Sequence, residues 1–149
     1  TAEECSAKEE KEAWAGFGEY LHSLPRNGYA VYYYSLYEKT VYKKMQKLYP
    51  GVITREEVDD FFDNPNVIDL YGIVLKQTDW PLSSYSIKAI AVYLGFNWRD
   101  NDPGGANSIE WYNNYLATGD KHILQRILDY NEDDCKATMV LKNALEKLK

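Results

Sequence analysis

The sequence predicts a helix-rich α/β fold whose strands lie parallel in one sheet. Two short runs of β-branched and aromatic residues, YAVYYYSL at 29–36 and VIDLY at 67–71, are bounded by turn signals, as buried strands are. Amphipathic helical segments precede, separate and follow these runs. Strands that are joined through helices are expected to pair in parallel, because the crossover returns the chain in the same direction.

Three helices are predicted in the first half of the chain. Residues 8–24 carry an apolar stripe at helical spacing and end at the breaker PRNG. YEKTVYKKMQKLY, at 37–49, repeats this pattern, and Glu38 falls in its first turn on the side that faces the sheet. TREEVDDFF opens with the capping box of Thr54 and Glu57, which marks the start of a third helix.

The second half is predicted to be helical, with polar connections. After a loop, SSYSIKAIAVYLGF forms a helix that is capped by Ser83 or Ser84 and ends just before Gly95. The glycine-rich stretch NWRDNDPGGAN is a loop. SIEWYNNYLATG is a helix capped by Ser108, and the last helix runs from Asp120 almost to the end of the sequence.

Length and charge limit the classes of protein that fit. A chain of 149 residues suits one domain, here residues 1–149. The sequence has no apolar run of about 18 residues, so it predicts no membrane span. The net charge of −6 argues against passive wrapping of nucleic acid, but not against an acidic site that holds cations. Cys5 and Cys135 are far apart, so we expect two thiols in a reducing, cytoplasmic setting.

Several motifs occur together in one order in the C-terminal half. VIDLYGIVLKQ is followed by SYSIKAIAVYLGF, GGANSIEWYNNYLATGD and LQRILDYNEDDCKATMVLKNAL. They resemble the RNase H-like domain of predicted RecB-type nucleases, which belong with the DEDD group of 3′–5′ exonucleases. The resemblance covers about residues 29–148. It implies an RNase H-like fold, cleavage of DNA or RNA, and four carboxylates that hold two Mg²⁺ or Mn²⁺ ions.

The stretch YNEDDC carries the most specific part of this resemblance. The tyrosine branch of the family places tyrosine four residues before the last aspartate, as Tyr130 and Asp134 are here; five residues before it stands Asp129, where the other branch has histidine. The resemblance implies that Asp134 binds metal and that Tyr130 orients the attacking water, on one helix face. Spacing alone favours an exposed acidic turn with a packed tyrosine. Glu132 and Asp133 lie off this face and are expected to be solvated.

Four further residues are assigned by the same resemblance. Glu38, in YYYSLYEK, corresponds to a second metal-binding carboxylate, although an acidic residue at a helix start also suits the helix dipole. Asp69, in VIDLY, is a further candidate for the metal set or a helix-start carboxylate that supports it. Tyr85 and Lys88 face the substrate groove in relatives, where Lys88 contacts a phosphate or is simply solvated.

One motif of the family has no counterpart in this chain. The Asp-x-Glu of the first strand is absent, so the RNase H-like fold is expected to be incomplete at its N-terminal β-meander. A preceding segment, or a second copy in a homo-oligomer, would then supply the missing carboxylates. The alternatives are a non-catalytic module that binds nucleic acid or protein, and a structural domain whose sheet edge pairs with another chain. The sequence leaves open DNA against RNA and exonuclease against endonuclease.

Overall fold

The computed structural model describes residues 2–25 and 27–148, with side chains described from residue 7 onwards apart from residue 26. The chain divides into two compact units, Thr1–Gln77 and Thr78–Lys149, called unit one and unit two below. The interpretation of residues 1–149 as a single domain stays a prediction. The Cys5 side chain lies outside the described residues, and Cys135 is exposed.

In the described part of unit one, a two-stranded parallel sheet lies among four helices. Its elements in chain order are α1 (Ala2–Ser23), β1 (Val31–Tyr33), α2 (Tyr37–Leu48), α3 (Arg55–Asp63), β2 (Val67–Asp69) and α4 (Leu70–Gln77). The predicted parallel pairing is confirmed, with Tyr33 opposite Asp69. Both strands are shorter than predicted, since Ser35 has a φ of +78° just after β1 and a helix begins directly after β2.

The core of unit one is built on the buried face of α3. Val58, Phe61 and Phe62 are buried there and cluster with Trp14 of α1 and Val67 of β2. The predicted capping box starts α3, and its two reciprocal hydrogen bonds satisfy two backbone donors of the first turn. The packing of α3 thereby anchors the start of β2, whose last residue is a candidate site residue.

Helix α4 occupies a segment for which the sequence predicts the end of a strand and then a loop. That prediction is wrong. The Oδ1 atom of Asp69 accepts a hydrogen bond from the Tyr71 N–H at 2.9 Å, which satisfies an amide of the first turn and favours a helix. Leu70 and Val74 are buried, so the apolar residues that resembled a continuing strand form the inner face of a helix.

Unit two consists of three helices in its described part. They are α5 (Ile87–Tyr93), α6 (Gly105–Thr118) and α7 (Lys121–Glu146). Helix α7 packs against both α5 and α6, as expected for the long helix of the unit. The buried cluster contains Ala91, Trp98, Trp111, Tyr130 and Ala137. In the described residues, no helix combines the length and apolarity needed to cross a bilayer.

The helix starts of unit two differ in part from those predicted. Ser86, rather than Ser83 or Ser84, caps α5 by accepting the Ala89 N–H at 3.2 Å. The Ser84 hydroxyl instead accepts the Ser86 N–H, so it acts one step before the cap. The prediction placed the cap too early because three serines within four positions offer the same side-chain chemistry.

Helix α6 begins earlier than predicted, with Gly104 at its N-cap. Ser108 lies inside the helix, where its hydroxyl donates to the Gly105 carbonyl, so its prediction as the cap is wrong. Gly119 ends the helix with a φ of +66°, the left-handed conformation that glycine adopts without strain. Asp120 caps α7 as predicted, since its carboxylate accepts the His122 N–H.

Candidate functional site

Glu38 is a half-buried carboxylate of unit one. It lies in the first turn of α2 and points inward, as predicted, and its Oε2 atom is buried without a hydrogen-bond partner among the described residues. Burial raises the pKa of Glu38 above its ordinary value, and the negative charge of Asp69 adds to the rise. A buried acceptor that lacks a donor is stabilised by a proton or by a cation, so Glu38 fits the donor set of a metal ion.

Asp69 holds the ends of both strands of unit one. Its Oδ1 atom accepts the Ser35 N–H and the Tyr71 N–H, each at 2.9 Å. The Ser35 contact stabilises a positive φ that costs a non-glycine residue energy, three residues before Glu38. Burial raises the pKa of Tyr33, and the charges of Asp69 and then Glu38 raise it further, so both carboxylates act on one hydroxyl.

Tyr130 and Asp134 lie one turn apart on α7 of unit two, and the charge of Asp134 acts on the Tyr130 hydroxyl. Tyr130 is 6% exposed and its ring packs edge-to-face against Trp111, with the centroids 5.9 Å apart. Burial raises the pKa of Tyr130 to about 12, and the charge of Asp134 contributes. The Tyr130 hydroxyl therefore stays protonated at neutral pH.

Trp98 is a partner of Asp134 that the sequence analysis missed. Its indole N–H donates to the Asp134 Oδ1 atom at 2.8 Å. The residue belongs to the stretch NWRDNDPGGAN, which the pattern of polar residues and glycines predicts only to be a loop. The two residues are 36 positions apart, so no spacing rule of a single helix or strand connects them. A tryptophan within a polar loop was the one available signal, since such a residue usually packs against something.

Asp133 is buried, so the prediction that it is solvated is wrong. It is 3% exposed and receives the main-chain N–H and the guanidinium of Arg99. The hydrogen bond from Arg99 holds the pKa of Asp133 below its ordinary value. The physical reason is that Arg99 compensates the charge, which makes burial of the carboxylate tolerable. Glu132 is exposed as predicted, although it also pairs with Arg99.

The two predicted substrate contacts make intramolecular contacts in unit two. The Lys88 ammonium donates to the Pro103 carbonyl and lies 5.4 Å from the centroid of the Tyr130 ring and 6.0 Å from that of Trp98. Lys88 is therefore next to the aromatic rings that contact Asp134. The Tyr85 hydroxyl accepts the main-chain N–H of a nearby tryptophan at 3.0 Å and donates to the carbonyl of the same residue.

The comparison with protein families decides the class of this chain. A model of the RNase H superfamily matches residues 3–146. The chain belongs to the RNase H superfamily. No curated protein and no solved structure matches it significantly. Membership supports an RNase H-like fold and a nuclease-like function, and the parallel strand pair with surrounding helices agrees with that fold class.

RNase H-like nucleases commonly use divalent metal ions, which carboxylate side chains hold. Across residues 2–25 and 27–148, no three His, Cys, Asp or Glu side chains are grouped so that they could hold an ion. Single features do fit: Glu38 has a buried oxygen without a donor, and Asp134 accepts a hydrogen bond from the neutral indole of Trp98. Carboxylate oxygens are also the ligands that Mg²⁺ prefers.

Proposed function

We propose that this member of the RNase H superfamily is a metal-dependent nuclease of the tyrosine-branch DEDD type, related to the RecB-type nucleases. It would hydrolyse phosphodiester bonds of DNA or RNA from a 3′ end. The observation that carries the proposal is the buried Tyr130, whose hydroxyl feels the charge of Asp134 one turn later on α7, at the spacing of that branch. The family match over residues 3–146 supports it at the level of the superfamily.

Glu38 and Asp134 are the proposed metal-binding carboxylates. Burial of the Glu38 Oε2 atom without a donor supports a cation at that oxygen. The neutral indole donor at Asp134 supports the same role, because it leaves the negative charge of the carboxylate in place. Asp69 is proposed to support Glu38, since its Oδ1 atom holds the turn that starts α2, and to be a further candidate for the metal set. Bound Mg²⁺ or Mn²⁺ supplies activation of water and neutralisation of charge on the leaving oxygen.

Tyr130 is proposed to position the attacking water rather than to remove its proton. Its pKa of about 12 keeps the hydroxyl neutral, so it can donate one hydrogen bond and accept another. The edge-to-face contact of its ring with Trp111 restricts the direction of that hydroxyl. A restricted neutral donor is suited to orienting a nucleophile, since misplacement of reacting atoms slows a reaction strongly.

Lys88 and Tyr85 are proposed to contact the substrate. The Lys88 ammonium would exchange the Pro103 carbonyl for a phosphate oxygen, which is a stronger, charge-assisted acceptor. The Tyr85 hydroxyl would likewise have to exchange its main-chain partners for a group of the substrate. Both contacts therefore require a local rearrangement when substrate binds.

A non-catalytic module that binds nucleic acid or protein is the second candidate. Two observations favour it: the sequence contains no Asp-x-Glu, and the described residues hold no grouping of three potential metal ligands. Such a module would bind single strands without shortening them. Cleavage therefore separates the two candidates directly.

The deciding experiment follows an end-labelled single strand in Mn²⁺, with chelator as the reference. We expect shortening from the 3′ end that is lost in Asp134→Asn and Glu38→Gln. We expect Tyr130→Phe to slow it on the order of 10²-fold, because the hydroxyl that orients the water is removed. Glu132→Gln, an exposed change on the same helix, is the matched control and should cleave normally. An inactive wild type, or an Asp134→Asn variant as active as wild type, would contradict the proposal.

A further inference from the structure

The loop between α5 and α6 directs an indole at Asp134. The Trp98 N–H to Asp134 Oδ1 distance is 2.8 Å, and Trp98 is only 9% exposed. Its ring packs edge-to-face against Phe96, with the centroids 5.0 Å apart. A hydrogen bond shielded from water is stronger and more directional than an exposed one, so this contact restrains the carboxylate.

The neighbouring residue fixes this loop to α7. The Arg99 main-chain N–H donates to Asp133 Oδ2 at 2.8 Å, and its Nε donates to Asp133 Oδ1 at 2.9 Å. The guanidinium also reaches the Asp129 carbonyl at 3.0 Å. Two consecutive loop residues are thus bonded to two consecutive aspartates of one helix, which leaves the Trp98 indole little freedom to turn away from Asp134.

The two adjacent aspartates have chemically different partners. Asp133 is bound by a cation, so its charge is compensated. An indole N–H is a neutral donor with no acceptor capacity, so Trp98 orients Asp134 and leaves its negative charge in place. A carboxylate that is both oriented and still charged is what binding of a divalent cation requires.

We propose that Trp98 is a positioning residue that holds the Asp134 carboxylate in the orientation in which it binds a divalent metal ion, an inference that rests on the proposed nuclease function. The Trp98 indole N–H donates a hydrogen bond to one oxygen of the Asp134 carboxylate. Groups that orient metal-binding side chains commonly change metal affinity by about 10–100-fold when they are removed. The inference adds a residue outside the carboxylates and tyrosine of the proposed site.

The test compares Mn²⁺ affinity in variants that remove one indole N–H. Trp98→Phe keeps an aromatic ring against Phe96 and removes the donor to Asp134. Trp80→Phe is the matched control, because the Trp80 indole N–H donates to the Thr78 hydroxyl at 2.7 Å instead. Isothermal titration calorimetry should show Mn²⁺ binding that is about 10-fold or more weaker in Trp98→Phe. Trp80→Phe should bind as the wild type does, and Asp134→Asn should lose the binding.

The outcomes separate the inference from the proposed function. If Asp134→Asn loses Mn²⁺ binding while Trp98→Phe and Trp80→Phe both bind Mn²⁺ as the wild type does, the metal role of Asp134 stands and the positioning role of Trp98 is overturned. If the wild type binds no Mn²⁺, or Asp134→Asn binds it normally, the proposed metal role of Asp134 fails and the inference fails with it.

A second measurement avoids dependence on the folding of Trp98→Phe. The indole N–H resonances of the wild-type protein can be followed by ¹⁵N-edited NMR during titration with Mg²⁺. The Trp98 resonance is assigned by its absence in Trp98→Phe or by its response to Asp134→Asn. We expect it to shift with Mg²⁺ while the Trp80 resonance does not, since only Trp98 bonds the carboxylate. A Trp98 resonance that stays in place at saturating Mg²⁺ would overturn the inference.

Discussion

At the scale of single residues, Asp133 and Asp134 show how partners determine what a carboxylate can do. Arg99 binds Asp133 through its backbone and its guanidinium, which makes that aspartate a structural anchor. Trp98 binds Asp134 through a neutral indole N–H, which does not compensate the charge of that carboxylate. Adjacent residues of the same type therefore have separable roles, and substitution at each should change a different property.

Asp133→Asn should lower stability without abolishing metal binding. The Asp133 side chain is 4% exposed, while Arg99 is 48% exposed and can be hydrated when it loses its partner. The free energy of unfolding is therefore expected to fall by about 2 kcal/mol, as for the loss of charge-assisted hydrogen bonds. Breaking a fully buried ion pair would cost more. Urea unfolding at neutral pH measures it. Asp79→Asn, an exposed aspartate of the same unit, should leave the free energy of unfolding nearly unchanged.

The ion pair of Asp133 and Arg99 predicts that stability depends on pH. Because Arg99 lowers the pKa of folded Asp133, the folded state binds fewer protons there than the unfolded state does. The contribution of Asp133 to stability is fully present above its unfolded pKa of about 4 and is lost as the pH falls through the lower, folded pKa. Asp133→Asn should therefore lose less stability on acidification than the wild type. An identical acid dependence in both proteins would show that this carboxylate is not the titrating group.

Glu38→Gln should stabilise the protein when no metal is present. Burial raises the pKa of folded Glu38, so its ionised form weakens the folded state as the pH rises above the unfolded pKa. The amide removes that charge, and the melting temperature at neutral pH in chelator should rise. Added Mn²⁺ should then stabilise the wild type but not the variant. A lower melting temperature of the variant in chelator would contradict this account.

Much of the candidate site at this scale was predictable from sequence, and part of it was not. The inward direction of Glu38 followed from its place on the stripe of α2, and the shared face of Tyr130 and Asp134 followed from helical spacing. The Trp98 contact and the burial of Asp133 depend on a loop that reaches α7 from more than 30 residues away. Periodicity within one element contains no information about such contacts.

At the scale of elements, helix existence was predicted better than helix boundaries. The capping box of α3 and the Asp120 cap of α7 were confirmed, because each offers one side chain of the right type at the right place. The missed helix α4 follows β2 without a break, and its apolar residues fit either structure. Asp69 favours the helix by accepting the Tyr71 N–H, which is the contact of a helix-start carboxylate, one of the two roles that the resemblance offered for it.

The cap of α5 gives a prediction at this scale. Ser86→Ala should cost about 1 kcal/mol of stability, because the Ala89 N–H loses its side-chain acceptor. Ser83→Ala is the matched control at the position that the sequence also favoured, and it should cost nearly nothing since Ser83 is exposed outside the helix. Chemical denaturation of both variants measures the difference. A larger loss in Ser83→Ala would mean that the cap lies at the earlier serine.

At the scale of the whole molecule, family membership and net charge point in different directions. The RNase H superfamily match implies a nucleic-acid substrate, while a net charge of −6 opposes the approach of a polyanion. The parallel strand order and the superfamily were both accessible from sequence, because ordered motifs span most of the chain. The branch and the substrate are not determined by the fold, since one fold supports many chemistries.

Divalent cations should reconcile the acidic chain with a nucleic-acid substrate. We expect weak binding of a cleavage-resistant single strand in chelator and much tighter binding in Mn²⁺, because bound cations invert the local field of an acidic site. Fluorescence anisotropy measures this, with monovalent salt adjusted so that ionic strength is equal in both conditions. Glu38→Gln and Asp134→Asn should each remove most of the cation-dependent gain, whereas Glu132→Gln should retain it. Tight binding in chelator that Mn²⁺ does not improve would favour the non-catalytic binding module, since affinity would then come from the protein surface alone.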